Sequence, residues 1–233
     1  MTASIGVLNS GLISFDPPLP DWKVDALASQ KMATYVKIFA QWDKKWWKDS
    51  DFAPSTLDGM SWVIMMDGDG DDNDRWKVMG PLPTEAPIIL FSAVDVEGER
   101  VEALTDDEVK EEITEKLRKA YPLRTVPEPD YLIKSDWTTN EFTKGAYSFV
   151  GMVPEGIDIE DIRSPVQEDD LGGIFFAGEG MSSRYQSYLH AAYHSGTETA
   201  DEIIEYMGYA FATGLSFSIR SLIPLAIAAL LTK

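Results

Sequence analysis

The residues able to do chemistry are few and scattered. His190 and His194 are the only imidazoles, and there is no cysteine. Thiolate catalysis, disulfides and cysteine-based zinc or iron–sulfur sites are therefore excluded. The two histidines stand four apart on one helix face, a spacing that suits a metal pair. However, Ala191 stands where the HExxH motif needs glutamate, so ordinary polar helix residues are the default reading. No GxSxG elbow or Ser-His-Asp arrangement stands out. Gly178-Glu179-Gly180 lies between an apolar run and a helical pattern, where outward N–H groups could meet a polar or anionic ligand; it lacks the GxGxxG spacing of a pyrophosphate loop. Lys37 falls between Tyr35 and Phe39 on one strand face, which by pattern alone reads as a lysine at a sheet edge. Trp137 and Tyr147 bracket a Lys144-Gly145-containing loop, and Trp46-Trp47 fall near a turn. With 7 Trp, 9 Tyr and 10 Phe, aromatic walls for an amine are available, although filling the core is the simpler use.

Composition bounds the class. The 233 residues are 44% hydrophobic, enough for a packed core of one domain or two closely packed lobes. The formal charge of −19 (20 bases, 39 acids) opposes nucleic-acid binding and favours cationic partners. Residues 1–15 lack the charged and apolar regions of a secretory signal, which favours an intracellular location. The stretch Tyr209–Leu231 is almost wholly apolar but contains Arg220 and Pro224, so it reads either as a C-terminal membrane anchor or as a buried or interfacial helix. The acidic run Asp67–Asp74 invites a calcium reading, yet Asp72 and Val78 stand where an EF-hand loop needs Gly and Glu. It reads as a solvated loop.

The elements that must position these residues follow from periodicity. Ile5–Leu8 reads as a strand end followed by a turn, and Asp16–Pro20 as a stiff non-helical connector. Asp21 caps a short helix through Val24, Leu27 and Ala28, with Met32 at its end. Tyr35–Trp42 alternates as a strand, with Trp62–Met66 and Ile88–Val94 as two more. Thr105–Ala120 is the best-marked helix, with a Thr105/Glu108 capping box, a Leu104–Val109 staple and the stripe Val109, Ile113, Leu117. Residues 121–170 read as irregular. Gly172–Ala177 reads as a strand, followed through Gly178–Gly180 by a helix whose series Leu189, Tyr193, Gly196, Ala200, Ile203 and Met207 makes one buried face. The fold class is α/β (α+β mixed).

Four blocks together resemble the C-terminal half of the flavin-dependent amine oxidases, which include polyamine oxidases, monoamine oxidases and flavin-type histone demethylases. Ile5–Pro20 resembles the family's PLGVLKxGxIxFxPPLP stretch, and Tyr35–Phe39 with Trp46-Trp47 its NKIxLxFxxxFW strand. Trp137 with Phe142–Ser148 resembles WxxDPxxxGSYS, and Phe175–Glu179 through Tyr188–Gly196 resembles FAGEHTxxxYxxxVHGAxxSG. The resemblance implies FAD as cofactor, a small amine (a polyamine or monoamine) and O2 as reactants, hydride transfer from the amine's carbon to flavin N5, and H2O2 as product. It implies catalytic roles for Lys37, beside a water near N5, and for Tyr147 and Tyr188, an aromatic cage. Cofactor contacts would come from Trp137, Gly178, Glu179 and the Tyr188-Leu189 backbone. The implied organisation is the end of an FAD-domain segment with its linker (1–34), a mixed-sheet substrate domain (35–150), a strand and helix completing the FAD domain (151–208) and the apolar tail (209–233). Two departures matter. The dinucleotide fingerprint is absent, so the chain looks like a C-terminal portion, and a non-catalytic remnant that does not retain FAD is the rival reading. The His of the family's GEH is Gly180 here, which implies altered packing beside the flavin.

Overall fold

The computed structural model describes residues 1–48, 51–52, 78–82, 85–151, 159–168 and 172–212. The expected strand Trp62–Met66, the acidic loop Asp67–Asp74 and the tail beyond 212 lie outside them. In chain order the helices are α1 (Ile5–Asn9), α2 (Asp21–Ala28), α3 (Asp95–Ala103), α4 (Asp106–Ala120) and α5 (Leu189–Ala212). The strands are β1 (Gln30–Ala33), β2 (Tyr35–Gln41), β3 (Val78–Pro81), β4 (Ile88–Val94), β5 (Tyr131–Lys134), β6 (Tyr147–Val150), β7 (Val166–Glu168) and β8 (Gly172–Ile174). Helices and sheets mix as the sequence implies. Strands β5 to β7 lie in the stretch read as irregular, because three- and four-residue strands are too short to display alternation.

Alternation builds the central sheet, of order β3-β4-β2-β5 with every ladder antiparallel. Along β2, Val36, Ile38 and Ala40 turn into a core with Ile89, Phe91 and Ala93 of β4, while Tyr35, Lys37 and Phe39 take the other face. Val101 of α3 and Val109, Ile113 and Leu117 of α4 close that core. Lys37 is therefore not at an edge: its strand is interior, its N–H donates to Ser135 Oγ at 2.9 Å and its carbonyl accepts from Ser135 N at 3.0 Å. Trp42, Trp46, Trp47, Phe52 and Tyr121 meet edge-to-face or tilted, with neighbouring centroids between 5.4 and 6.3 Å apart. The Trp46-Trp47 pair thus packs in or against this core rather than walling a pocket. Helix α4 carries the expected capping box, Glu108 N–H donating to Thr105 Oγ1 at 3.3 Å and Thr105 N–H to Glu108 Oε2 at 2.8 Å. Lys134 of β5 caps the other helix, its ammonium donating to the carbonyls of Val101, Glu102 and Leu104 at the end of α3.

A second core joins Ile5 and Leu8 of α1, Ala26 and Leu27 of α2, Ile162, Phe176 and Met181. Here the expectation of a strand at Ile5–Leu8 is overturned. Ser4 caps α1 by accepting from Val7 N–H at 3.1 Å, and the helix turns Ile5 and Leu8 to one side. In α2 the expected end and face are also revised: the helix stops at Ala28, and Met32 pairs in β1. Pro20 is the N-cap, Asp21 follows it inside the first turn, and Val24 is exposed while Lys23 is fully buried. The Lys23 ammonium donates to the carbonyls of Asp161 (2.9 Å), Ile162 (2.5 Å) and Ser164 (2.8 Å) and lies 3.8 Å from the Phe176 ring centroid. Burial pushes its pKa down to about 7, against the opposing pull of Asp161.

Two expectations about the last unit are corrected. The strand ends at Ile174, and Gly178 opens a 3-10 turn (Glu179–Met181) rather than a helix; α5 starts only at Leu189. The apolar series also turns largely outward: Leu189 is 92% exposed, Tyr193 73% and Met207 38%, while Gly196 and Ile203 are half-buried. The buried side of α5 carries Ala191, Ser195 and Thr199, small residues that let the helix approach Phe176–Gly178. Periodicity finds an apolar stripe correctly but cannot say whether the chain itself covers it.

Candidate functional site

Strand β2 presents Lys37 and Tyr35 on its outer face, two residues apart, with the Lys37 ammonium 5.7 Å from the Tyr35 ring centroid. The Tyr35 ring in turn lies 6.3 Å from that of Tyr147, tilted by 57°. Tyr147 arrives there because β6 pairs antiparallel with β1, placing Tyr147 opposite Ala33, just before β2 begins. Lys37, Tyr35 and Tyr147 thus form one continuous patch of cation and ring faces. Tyr35 was missed from sequence as a site residue, although its place two residues before Lys37 marked it as sharing that face.

The loop before Tyr147 is drawn tight. The Trp137 carbonyl accepts from Gly145 N–H at 2.8 Å and Thr143 Oγ1 at 2.7 Å, leaving the indole half exposed. Gly145 has φ +140°, and a Cβ there would fall 2.3 Å from that of Met32, so only glycine fits. Through this loop the two expected residues Trp137 and Tyr147 are held on a common support.

Tyr188 lies on a second segment, just after Ser187. It is 64% exposed, immediately precedes α5 and stacks on His190 at 5.4 Å. Leu189 opens the helix with its side chain in solvent; the first N–H groups of an α-helix have no intrahelical partner and carry its positive dipole end. His190 and His194 belong to an aromatic group with Tyr185, whose ring lies 4.7 and 5.3 Å from them.

Between these two arms lies Glu179. Its Oε1 accepts from Ser148 N–H at 3.0 Å, and its Oε2 from Ser148 Oγ at 2.8 Å and Ser187 N–H at 3.0 Å. Ser187 Oγ donates in turn to the Ser148 carbonyl, and Gln186 Nε2 to Ser148 Oγ at 3.1 Å. Ser148 closes the Phe142–Ser148 motif block without a role of its own, and Ser187 carries no sequence signal.

A cavity of about 400 Å³ lies beside the Gly178–Gly180 turn, bounded by Thr2–Ile5, Phe142, Ala192 and Gly196. Its size falls in the ordinary range for small-molecule and cofactor sites, roughly 300–1,000 Å³. Its walls are rich in glycine and alanine, which allows a flat ring or a chain of hydroxyls to approach the backbone. Its small residues fit the close approach of a flat flavin ring, while the Gly178 N–H is taken by Ser195 Oγ at 3.0 Å and the α5 N-terminus at Leu189 lies outside its lining. Gly180 is filled in from behind, since a Cβ there would stand 2.6 Å from Ile5 Cγ1 and 2.8 Å from Ser148 Oγ. The space a larger residue would take is already used by α1.

Comparison with known proteins decides the family. The model for flavin containing amine oxidoreductase matches residues 1–204. The chain belongs to that family. Polyamine oxidase 1 of Zea mays is 31% identical over 204 residues, covering 88% of this chain and 38% of the relative. Peroxisomal N(1)-acetyl-spermine/spermidine oxidase of Homo sapiens is 29% identical over 215 residues, covering 88% and 42%. Among solved structures, cyclohexylamine oxidase from Brevibacterium oxydans IH-35A superposes with a TM-score of 0.59 at 22% identity, covering 89% of this chain and 42% of that one. Putrescine oxidase bound to putrescine gives 0.60 at 20%, covering 88% and 42%. These confirm the amine oxidase fold. The chain spans about two fifths of the length of these two relatives. Among the described residues no helix is long and apolar enough to cross a membrane.

Proposed function

We propose that this chain forms the amine-facing and flavin-contacting part of an FAD-dependent oxidase of small amines, polyamine-like in substrate, an oxidoreductase acting on CH–NH bonds. The observation that carries the reading is the joining of two arms: Lys37, Tyr35 and Tyr147 on one, Tyr188 on the other, with Glu179 between them. The family membership supports it.

When bound, FAD supplies the hydride acceptor N5 and returns its electrons to O2, giving H2O2. The chain's own residues hold and shield. With FAD bound, the Gly178–Gly180 turn and the first amides of α5 at Leu189 would hold its polar side, and Trp137 would line its surroundings. Tyr147 and Tyr188 flank a neutral amine, remove its water and aim its C–H bond, work that needs orientation rather than an acid–base triad. Lys37 holds a water by its ammonium beside the same patch, where it assists reaction with oxygen. The relatives named for polyamines support a small polyamine as substrate.

The test begins with colour. Purified protein mixed with FAD is expected to retain a yellow chromophore, and added amine to release peroxide. Lys37→Met should slow flavin reoxidation, and Tyr188→Ala should weaken amine turnover more than FAD retention. If this chain stays colourless with FAD added, activity belongs only to a longer or complemented chain, and a longer chain that also stays colourless overturns the reading in favour of a non-catalytic remnant.

A further inference from the structure

Glu179 sits in the segment expected to touch FAD, yet its carboxylate is directed elsewhere. A carboxylate offers about four acceptor sites. Three are occupied by protein donors: Ser148 N–H, Ser148 Oγ and Ser187 N–H, all within 3.0 Å. Both serines are chain neighbours of the proposed cage residues, Ser148 following Tyr147 and Ser187 preceding Tyr188. The two segments are 39 residues apart, and Ser187 Oγ adds a second tie by donating to the Ser148 carbonyl. Ser187 itself has φ +73°, an uncommon conformation for a side-chain-bearing residue, which the paired contacts hold in place.

We propose that Glu179 is a positioning residue whose carboxylate bridges Ser148 and Ser187 and thereby sets the separation of Tyr147 and Tyr188. This rests on the reading of those tyrosines as the amine cage. Two rings on separate elements must keep their spacing to within a fraction of an ångström, since a displacement of about 1 Å at a reacting centre costs on the order of 100-fold in rate. One acceptor shared by both flanking amides fixes that spacing without occupying the space between the rings. Charged acceptors give the shorter and stronger hydrogen bonds that such a bridge requires.

Two measurements on the 233-residue chain test the bridge without relying on turnover. In the unsubstituted protein, the amide protons of Ser148 and Ser187 should exchange slowly with solvent. Both should exchange faster in Glu179→Ala, while the amide of Ile38 in β2 keeps its rate. Faster exchange at only one of the two serine amides, or at neither, overturns the proposal. In protein carrying 3-fluorotyrosine, Glu179→Gln should move the fluorine signals of both Tyr147 and Tyr188 and leave those of Tyr121 and Tyr131 in place. Movement of only one cage signal, or of neither, overturns it. The cage reading fails separately: both signals move as expected, but Tyr188→Ala leaves amine turnover unaltered.

Discussion

Gly180 is the residue at which this chain departs most visibly from its family's motif, and the contacts around it give the departure a physical cost. A Cβ there would lie 2.6 Å from Ile5 Cγ1 and 2.8 Å from Ser148 Oγ. Both distances are well inside van der Waals contact, and neither neighbour is the loose end of a long side chain. Gly180→Ala should therefore destabilise the fold by about 1–3 kcal/mol, the usual cost of overpacking. The shift of a urea unfolding midpoint would measure it. Combined with Ile5→Ala, which removes one of the two clashing atoms, the loss should be less than the sum of the single effects, because contacting sites couple. Strict additivity would mean that α1 does not crowd Gly180. The histidine of the family motif cannot stand here unless α1 and Ser148 move.

At the scale of elements, helix α4 offers a pH test. Hydrogen bonds from the Thr105 N–H and hydroxyl hold the Glu108 carboxyl below its ordinary 4.5. A depressed folded value means that the unfolded chain binds the proton more readily. The associated stability is thus complete above about 4.5 and lost as pH falls through the lower folded value. Thr105→Ala keeps the backbone N–H, so it should reduce this acid-side dependence without abolishing it, and weaken the helix by about 1 kcal/mol at neutral pH. Thermal unfolding followed by circular dichroism at pH 7 and below 4 would read both effects. An unchanged pH slope in the variant would dissociate Glu108 from the cap.

The same elements show what could be read in advance. Helix α4 was legible because its cap and its stripe are local signals in one uninterrupted run. Strand β2 was legible because one of its faces is buried and the other is not. Strand β1 (Gln-Lys-Met-Ala) was not, since four residues with a lysine among them show no alternation. The four-residue strands β5 and β6 fell among turn residues for the same reason. Helix α1 was hidden because Gly6 and a five-residue length argue against a helix, and its stability comes from Ser4 and from burying Ile5 in a contact with distant residues. Of the candidate site, Lys37 and Tyr147 were visible through motif blocks, whereas Tyr35, Ser148 and Ser187 act through contacts across the chain.

Over the whole molecule, the charge of −19 proves a poor guide to the site. The proposed amine-facing patch is made of Tyr35, Tyr147, Tyr188 and a lysine, not of carboxylates. Much of the described acid lies on α3 and α4, where Arg100 joins Glu97 and Glu112 at 2.7 Å each. The molecule is organised instead around two apolar cores, one beneath the central sheet and one around α1 and α2. Each has its own lysine tied to three carbonyls: Lys134 beside the first, Lys23 inside the second.

That pairing makes the two lysines a built-in acylation gauge. Amine-reactive reagents need a free, approachable nitrogen, and Lys23 is fully buried while Lys134 is held by three acceptors. In a brief acetylation followed by mass mapping, exposed Lys37 should label early and these two late. With added denaturant, the order in which Lys23 and Lys134 become reactive should report which core opens first. If both label as fast as Lys37 in native buffer, neither ammonium is held as described.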